Sequence, residues 1–176
     1  TLRYSEVNYG VSIHHDGDIP ARSGMGSSSA FTVGLLNSLY ALEGKMITKE
    51  HLTKAAIYIE QELIKENVGS QDQTSAAYGG LNIIEFVPNG EIVVAPIIIE
   101  PERLRELEKN LVLIFTGFSR IASEVAEDKI QNIPNNKDNL SQMEALVDKA
   151  YKIIISPNKS LSEFGELLNE TWHLKK

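Results

Sequence analysis

The stretch PARSGMGSSSA at residues 20–30 runs straight into an apolar series, Ala30, Phe31, Val33, Leu35, Leu36, Leu39 and Leu42. No other feature constrains the chain as strongly. Gly24 and Gly26, two apart, let the backbone turn tightly and approach a ligand with no Cβ in the way. The apolar series predicts a buried helix, which places Ser27, Ser28 and Ser29 at its N-terminus. The first turn of a helix carries unpaired N–H donors and the positive end of the dipole, together an anion site. A glycine loop opening onto serines at a helix start is therefore a phosphate cradle. It is not the G-x-x-x-x-G-K-[ST] loop, because no Lys follows the second glycine, and it lacks the third glycine of G-x-G-x-x-G. On these residues alone, a Ser-capped helix after a glycine turn remains open as the plainer alternative.

A second segment spans residues 49–80. Leu52, Ala55, Ala56, Ile59 and Leu63 recur at helical spacing, which predicts a helix over 49–66 with Thr48 as N-cap and Glu50 in the first turn. Gly69 is expected to end it, and Asp72 to open a short helix running to the Gly79-Gly80 break. Two carboxylates, Glu60 and Asp72, thus lie near helix ends. Nucleotide-bound Mg²⁺ takes one or two carboxylates with phosphates and water, and phosphoryl transfer to a hydroxyl uses a carboxylate to orient it or accept its proton. Two plainer readings stand beside these. Glu60, Glu62 and Glu66 share one helix, and such acids form solvated faces; Asp72 suits an N-cap.

With both segments in view, the chain resembles the GHMP kinases, the family of galactokinase and of homoserine, mevalonate and phosphomevalonate kinases. Residues 20–30 are similar to that family's P-x-x-x-G-L-G-S-S-A-A loop, with Met25 in the Leu place and Ser29 in the first Ala place. Within the family, residues 18–29, 69–80, 115–123 and 164–175 resemble the bacterial sugar-phosphate kinases that act on D-glycero-D-manno-heptose phosphate. The resemblance implies that Gly24, Met25, Gly26, Ser27 and Ser29 belong to the ATP-phosphate loop. It implies that the Ser28 hydroxyl and Glu60 hold Mg²⁺, and that Asp72 is the catalytic carboxylate beside the acceptor hydroxyl. Arg120 aligns with an Arg of the branch motif and is expected to face the substrate phosphate, since a guanidinium grips phosphate bidentately; a surface Arg at a helix start is the alternative. Arg22 lies in the loop where the family has a small residue, and either meets a phosphate or points to solvent.

Composition narrows the partners. There is no cysteine, hence neither a disulfide framework nor a thiolate metal site. No apolar run reaches the length of a membrane span, and no signal-peptide pattern is present. A net charge of −7 argues against a nucleic-acid partner, which requires a basic footprint. His14 and His15 are adjacent on an expected strand, so they point to opposite faces and cannot readily chelate one ion. A cytoplasmic enzyme is the expectation. Family members are about twice as long, and the family's first motif and closing glycine-rich segment have no counterpart among these 176 residues. The chain is accordingly expected to be incomplete at both ends, with a seam between Glu6 and Val7.

The remaining elements follow from local signals. Residues 10–16 read as a strand, Leu81–Val87 and Glu91–Ile99 as a hairpin about Pro88-Asn89-Gly90, and Pro101 as the first residue of a charged helix. Residues 111–116 read as a central strand and 120–131 as a helix. Residues 138–155 read as a helix with Leu140, Met143, Leu146, Val147 and Ala150 inward. Ser160 and Glu163 form a capping box for a last helix with Phe164, Leu167, Leu168 and Trp172 on one stripe, Trp172 in the core. The expectation is an α+β, two-domain GHMP-kinase-like fold, each domain a sheet backed by helices. Residues 1–100 would be the ATP-binding domain and 101–176 the C-terminal one. The expected reaction is ATP-dependent phosphorylation of a sugar hydroxyl, with C1 of D-glycero-D-manno-heptose 7-phosphate as the preferred acceptor. The alternatives are a fucokinase- or galactokinase-like sugar 1-kinase, and a kinase-fold sugar sensor without turnover.

Overall fold

The structure is a computed structural model that describes residues 1–5, 7–18, 23–114 and 132–175. These fall into two compact units, Thr1–Gly80 and Leu81–Ile114 with 132–175. The units divide after Gly80, whereas the sequence reading put a boundary near Glu100, after the hairpin.

The first unit is built on three mutually packed helices, α1 (Ser27–Leu42), α2 (Lys49–Tyr58) and α3 (Gln71–Tyr78). α1 starts where the serines predict. Its buried face is Ser29, Thr32, Val33, Leu36 and Leu39, while Phe31 and Leu42 are exposed. Thr48 caps α2 as expected, its hydroxyl accepting from the His51 amide at 3.1 Å. Leu52, Ala55, Ala56 and Ile59 join Val33 and Leu36 in one core cluster, with Tyr4, Tyr40, Ile47 and Ala77 packed against it. Leu36 and Ile59 are fully enclosed, each contributing about 1.5–3 kcal/mol of burial.

The helix expected over 49–66 changes character midway. From Ile59 to Ile64 it continues as a π-helix, and it stops at Lys65 (φ 62°) rather than at Gly69. A π turn closes i→i+5 bonds and so holds one residue more than an α turn, which rotates the following side chains. That is why Leu63, inward on a 3.6-residue count, is exposed while Glu60 is enclosed.

Two expectations about sheets are corrected. Among the described residues the first unit has no strand: residues 10–16 take no regular secondary structure, and Ile13 is exposed. The sheet that is present lies in the second unit, an antiparallel pair of β1 (Asn82–Phe86) and β2 (Ile92–Pro96), in register from Asn82 opposite Pro96 to Phe86 opposite Ile92. Its turn is the expected one, with Gly90 at φ 87° and the Asn89 side chain accepting from the Glu91 amide at 2.9 Å. Residues 111–114 take no regular secondary structure and are exposed, with no ladder partner among the described residues; residues 115–116 of that expected strand and the expected helix over 120–131 lie outside them. An extended segment becomes a strand only when a neighbour takes up its backbone groups.

The second unit continues with α4 (Pro101–Lys109), a 3₁₀ turn at Ile133–Asn135, α5 (Lys137–Ile155) and α6 (Leu161–Lys175). α5 and α6 pack as a hairpin. The covered face of α5 runs through Leu146, Ile153 and Ile154, so Leu140 and Val147, expected inward, are exposed. The capping box forms at α6: the Ser160 hydroxyl accepts from the Ser162 amide at 3.1 Å, and Glu163 accepts from the Ser160 amide at 3.3 Å. Trp172 is 57 % exposed rather than in the core; the buried end of α6 is Leu161.

Candidate functional site

Gly24 and Gly26 both take left-handed backbone, φ 78° and 68°, and Gly26 is the N-cap of α1. No side chain caps this helix start, and its first turn has no acidic residue. The amides of the serine turn and the positive dipole end are therefore offered outward. Ser28 is exposed on that turn, and Ser27 is half-buried. Just before the loop's first glycine, the Ser23 hydroxyl is buried with no hydrogen-bond partner among the described residues.

α3 brings Asp72 to this loop. A Cβ at Gly26 would stand 3.1 Å from Asp72 Oδ2 and 3.2 Å from its Cγ, so the carboxylate lies directly against the glycine backbone. Ser70 holds the N-cap position of α3, so capping does not account for Asp72, which is exposed in the first turn.

Glu60 is the buried member of the site, 1 % exposed. Glu62 and Glu66, on the same segment, are not buried, so the solvated-face reading fails for Glu60 alone. The backbone anchors it: its carbonyl oxygen accepts from the Lys65 and Glu66 amides at the end of the π turn. Ser29 Oγ donates to its Oε2 at 2.9 Å, and Gln73 Nε2 donates to the same oxygen. It is thus Ser29 rather than Ser28 that contacts Glu60. The other oxygen, Oε1, is buried without a partner among the described residues, as is Gln73 Oε1. An enclosed polar atom left unsatisfied costs about 1–3 kcal/mol.

Among the described residues, no three His, Cys, Asp or Glu side chains gather as a metal set. A cation here would be held by Glu60 together with a loop hydroxyl and phosphate oxygens. That donor set fits Mg²⁺, which keeps waters and takes few carboxylates beside a nucleotide. An open cleft of about 860 Å³ adjoins the loop, between residues 11–18 and the outer face of α1. His15 stacks on Phe31 in its wall, ring centroids 4.9 Å apart, which occupies one of the two adjacent histidines. Arg22, Pro20 and Arg120 lie outside the described residues.

The structure thus joins the loop residues Gly24–Ser29 to Glu60 through Ser29 and to Asp72 through Gly26. Sequence reasoning missed Gln73. Its signal was present in principle: an amide next to a candidate catalytic acid, in a short helix with few apolar residues. Nothing in the spacing said it would be enclosed.

Residues 1–80 match the family model described as GHMP kinases N terminal domain. The chain is 32% identical over 168 residues to the D-glycero-alpha-D-manno-heptose 7-phosphate kinase of Campylobacter jejuni, covering 94% of this chain and 49% of that protein. It is 26% identical over 172 residues to the bifunctional fucokinase/GDP-fucose pyrophosphorylase of Arabidopsis thaliana, covering 94% of this chain and 16% of that protein. Among solved structures, a D-glycero-D-manno-heptose 1-phosphate kinase from Bacteroides thetaiotaomicron superposes with a TM-score of 0.70 at 27% identity, over 90% of this chain and 45% of the other. The chain spans about half the length of the Campylobacter relative. Residues 1–80 thus match the N-terminal domain of the GHMP kinases, and the chain as a whole is similar to kinases named for heptose phosphates.

Proposed function

We propose that this chain carries the nucleotide and phosphoryl-transfer site of an ATP-dependent, cytoplasmic sugar kinase whose acceptor is a heptose phosphate. The observation that carries the reading is the meeting of a glycine-led helix start with two carboxylates of different character: Asp72, exposed against Gly26, and Glu60, buried with one oxygen unpartnered among the described residues. The amides of Gly24–Ser29 take the ATP phosphates, and the cleft beside α1 takes the nucleoside. Glu60 and the Ser28 hydroxyl would hold Mg²⁺, which would supply charge to offset that developing on the transferred group. Asp72 orients the acceptor hydroxyl and accepts its proton. The acceptor oxygen bonds to the γ-phosphorus, the bond to the β–γ bridging oxygen breaks, and ADP leaves with that electron pair. Arg120 reads the phosphate already on the sugar.

The relatives' names put that phosphate on different carbons, heptose 7-phosphate in one and heptose 1-phosphate in the other. C1 of the 7-phosphate is the acceptor we favour. The fucokinase relative supports a second reading, a sugar 1-kinase acting on a free sugar. ADP release by the full-length protein, assayed with heptose 7-phosphate, heptose 1-phosphate, fucose and galactose, separates them. Turnover with heptose 7-phosphate well above the free sugars is expected; ATP binding with no turnover on any acceptor would instead indicate a sensor. Asp72→Asn should lower turnover by roughly 10²–10⁴-fold with little change in ATP affinity, and near wild-type turnover would remove Asp72 from the chemistry. Arg120→Ala should raise the KM for the sugar phosphate roughly ten- to a hundred-fold, the worth of a charged contact, and leave that for ATP unchanged.

A further inference from the structure

Gln73 adjoins the candidate catalytic acid, yet its side chain points elsewhere, fully enclosed against Glu60. Its Nε2 and the Ser29 hydroxyl both donate to Glu60 Oε2, while Oε1 receives no hydrogen bond among the described residues. A carboxylate held at one oxygen by two donors cannot rotate to exchange its oxygens without breaking both bonds. We propose that Gln73 is a positioning residue: it locks the Glu60 carboxylate so that Oε1 alone is presented to the nucleotide's divalent cation. The inference rests on the reading of Glu60 as the metal carboxylate.

The placement of Gln73 supports the role. It sits on α3 one residue after Asp72, which lies against Gly26. One helix turn therefore fixes the acid beside the phosphate loop and, through the next side chain, the orientation of the metal carboxylate. Ser29, the other donor, comes from α1, so the two donors tie Glu60 to both helices that carry the site. Partners of this kind orient a ligand, and their loss costs roughly 10- to 100-fold in metal affinity.

The test is a cycle of variants in the full-length protein, read by calorimetry of ATP with Mn²⁺ and of ATP in EDTA. Gln73→Met keeps the volume and removes the donor. It should reduce the Mn²⁺-dependent gain in ATP affinity roughly 10- to 100-fold while changing affinity in EDTA far less. In a Glu60→Ala background, Gln73→Met should have no further effect, because there is no carboxylate left to hold. An unchanged gain in folded Gln73→Met overturns the proposal. So does an equal loss in both backgrounds, which is the mark of a merely structural residue. If Glu60→Ala itself keeps the full Mn²⁺ gain, the metal reading of Glu60 fails, and this inference with it. Should Gln73→Met not fold, the wild-type protein decides by NMR. The Gln73 side-chain amide resonance should shift when Mg²⁺ is added to protein saturated with a non-hydrolysable ATP analogue. A resonance that stays in place overturns the positioning role.

Discussion

At the scale of single residues, the site depends on a glycine that nothing else can replace. Gly26 combines φ 68° with Asp72 Oδ2 standing 3.1 Å from where a Cβ would go. A side chain there suffers twice, from backbone strain of about 1–3 kcal/mol and from displacement of the carboxylate. Gly26→Val should therefore destabilise the protein by at least that strain and abolish ATP binding by calorimetry; a folded variant with unchanged affinity would place the cradle elsewhere. Gly165 is the opposite case. It lies inside α6 with ordinary helical backbone and open space where its Cβ would be. Gly165→Ala should raise stability by about 0.5–1 kcal/mol in denaturant titration, because alanine loses less backbone entropy on folding. No gain would mean that α6 is not helical at that point in solution.

At the scale of elements, two helix ends are held in contrasting ways. α1 starts without a side-chain cap among the described residues. α5 ends with two of its last carbonyls held: Arg103 of α4, 8 % exposed, donates from Nη2 to the Ile153 carbonyl and, beyond the helix, to the Lys159 carbonyl, both at 2.9 Å, and from Nε to the Ile154 carbonyl at 3.3 Å. Its Nη1 pairs with Glu106 at 2.8 Å. A cation at a helix C-terminus offsets the dipole and takes up the last free carbonyls. Arg103→Met should cost about 1.5–3 kcal/mol, the worth of a charged hydrogen bond, seen as a lower denaturation midpoint. Arg103→Lys should recover only a fraction, since a single ammonium cannot reach carbonyls on three residues at once. Full recovery by Lys would show that charge matters here and the fork does not. Arg103 was not legible in the sequence, where it sits in a charged helix and reads as a solvated side chain.

At the scale of the molecule, the phosphate loop, Glu60 and Asp72 all belong to the first compact unit, and the α5–α6 hairpin to the second. A ligand stabilises the region whose native form it binds. Mg²⁺ with a non-hydrolysable ATP analogue should therefore slow amide exchange in residues 23–30, 59–66 and 71–74, and leave residues 137–175 largely unchanged. Protection confined to 137–175 would contradict the placement of the site. No helix among the described residues is long and apolar enough to cross a membrane.

The glycine loop, the serines at the start of α1, the Thr48 cap, the Asn89-Gly90 turn and the Ser160–Glu163 box could all be read from the sequence. Each is fixed by backbone sterics and hydrogen bonds between residues a few positions apart, so its whole cause lies in a short window. The family resemblance came from the same kind of local signal. Burial could not be read that way. Whether Glu60 or its neighbours Glu62 and Glu66 turned inward depended on a π turn and on donors from α1 and α3, both remote in sequence. The same holds for the bond from Ser29 to Glu60, for Gln73 and for exposed Trp172. A side chain's environment is set by which surfaces the rest of the chain brings to it, and only the tertiary structure supplies them.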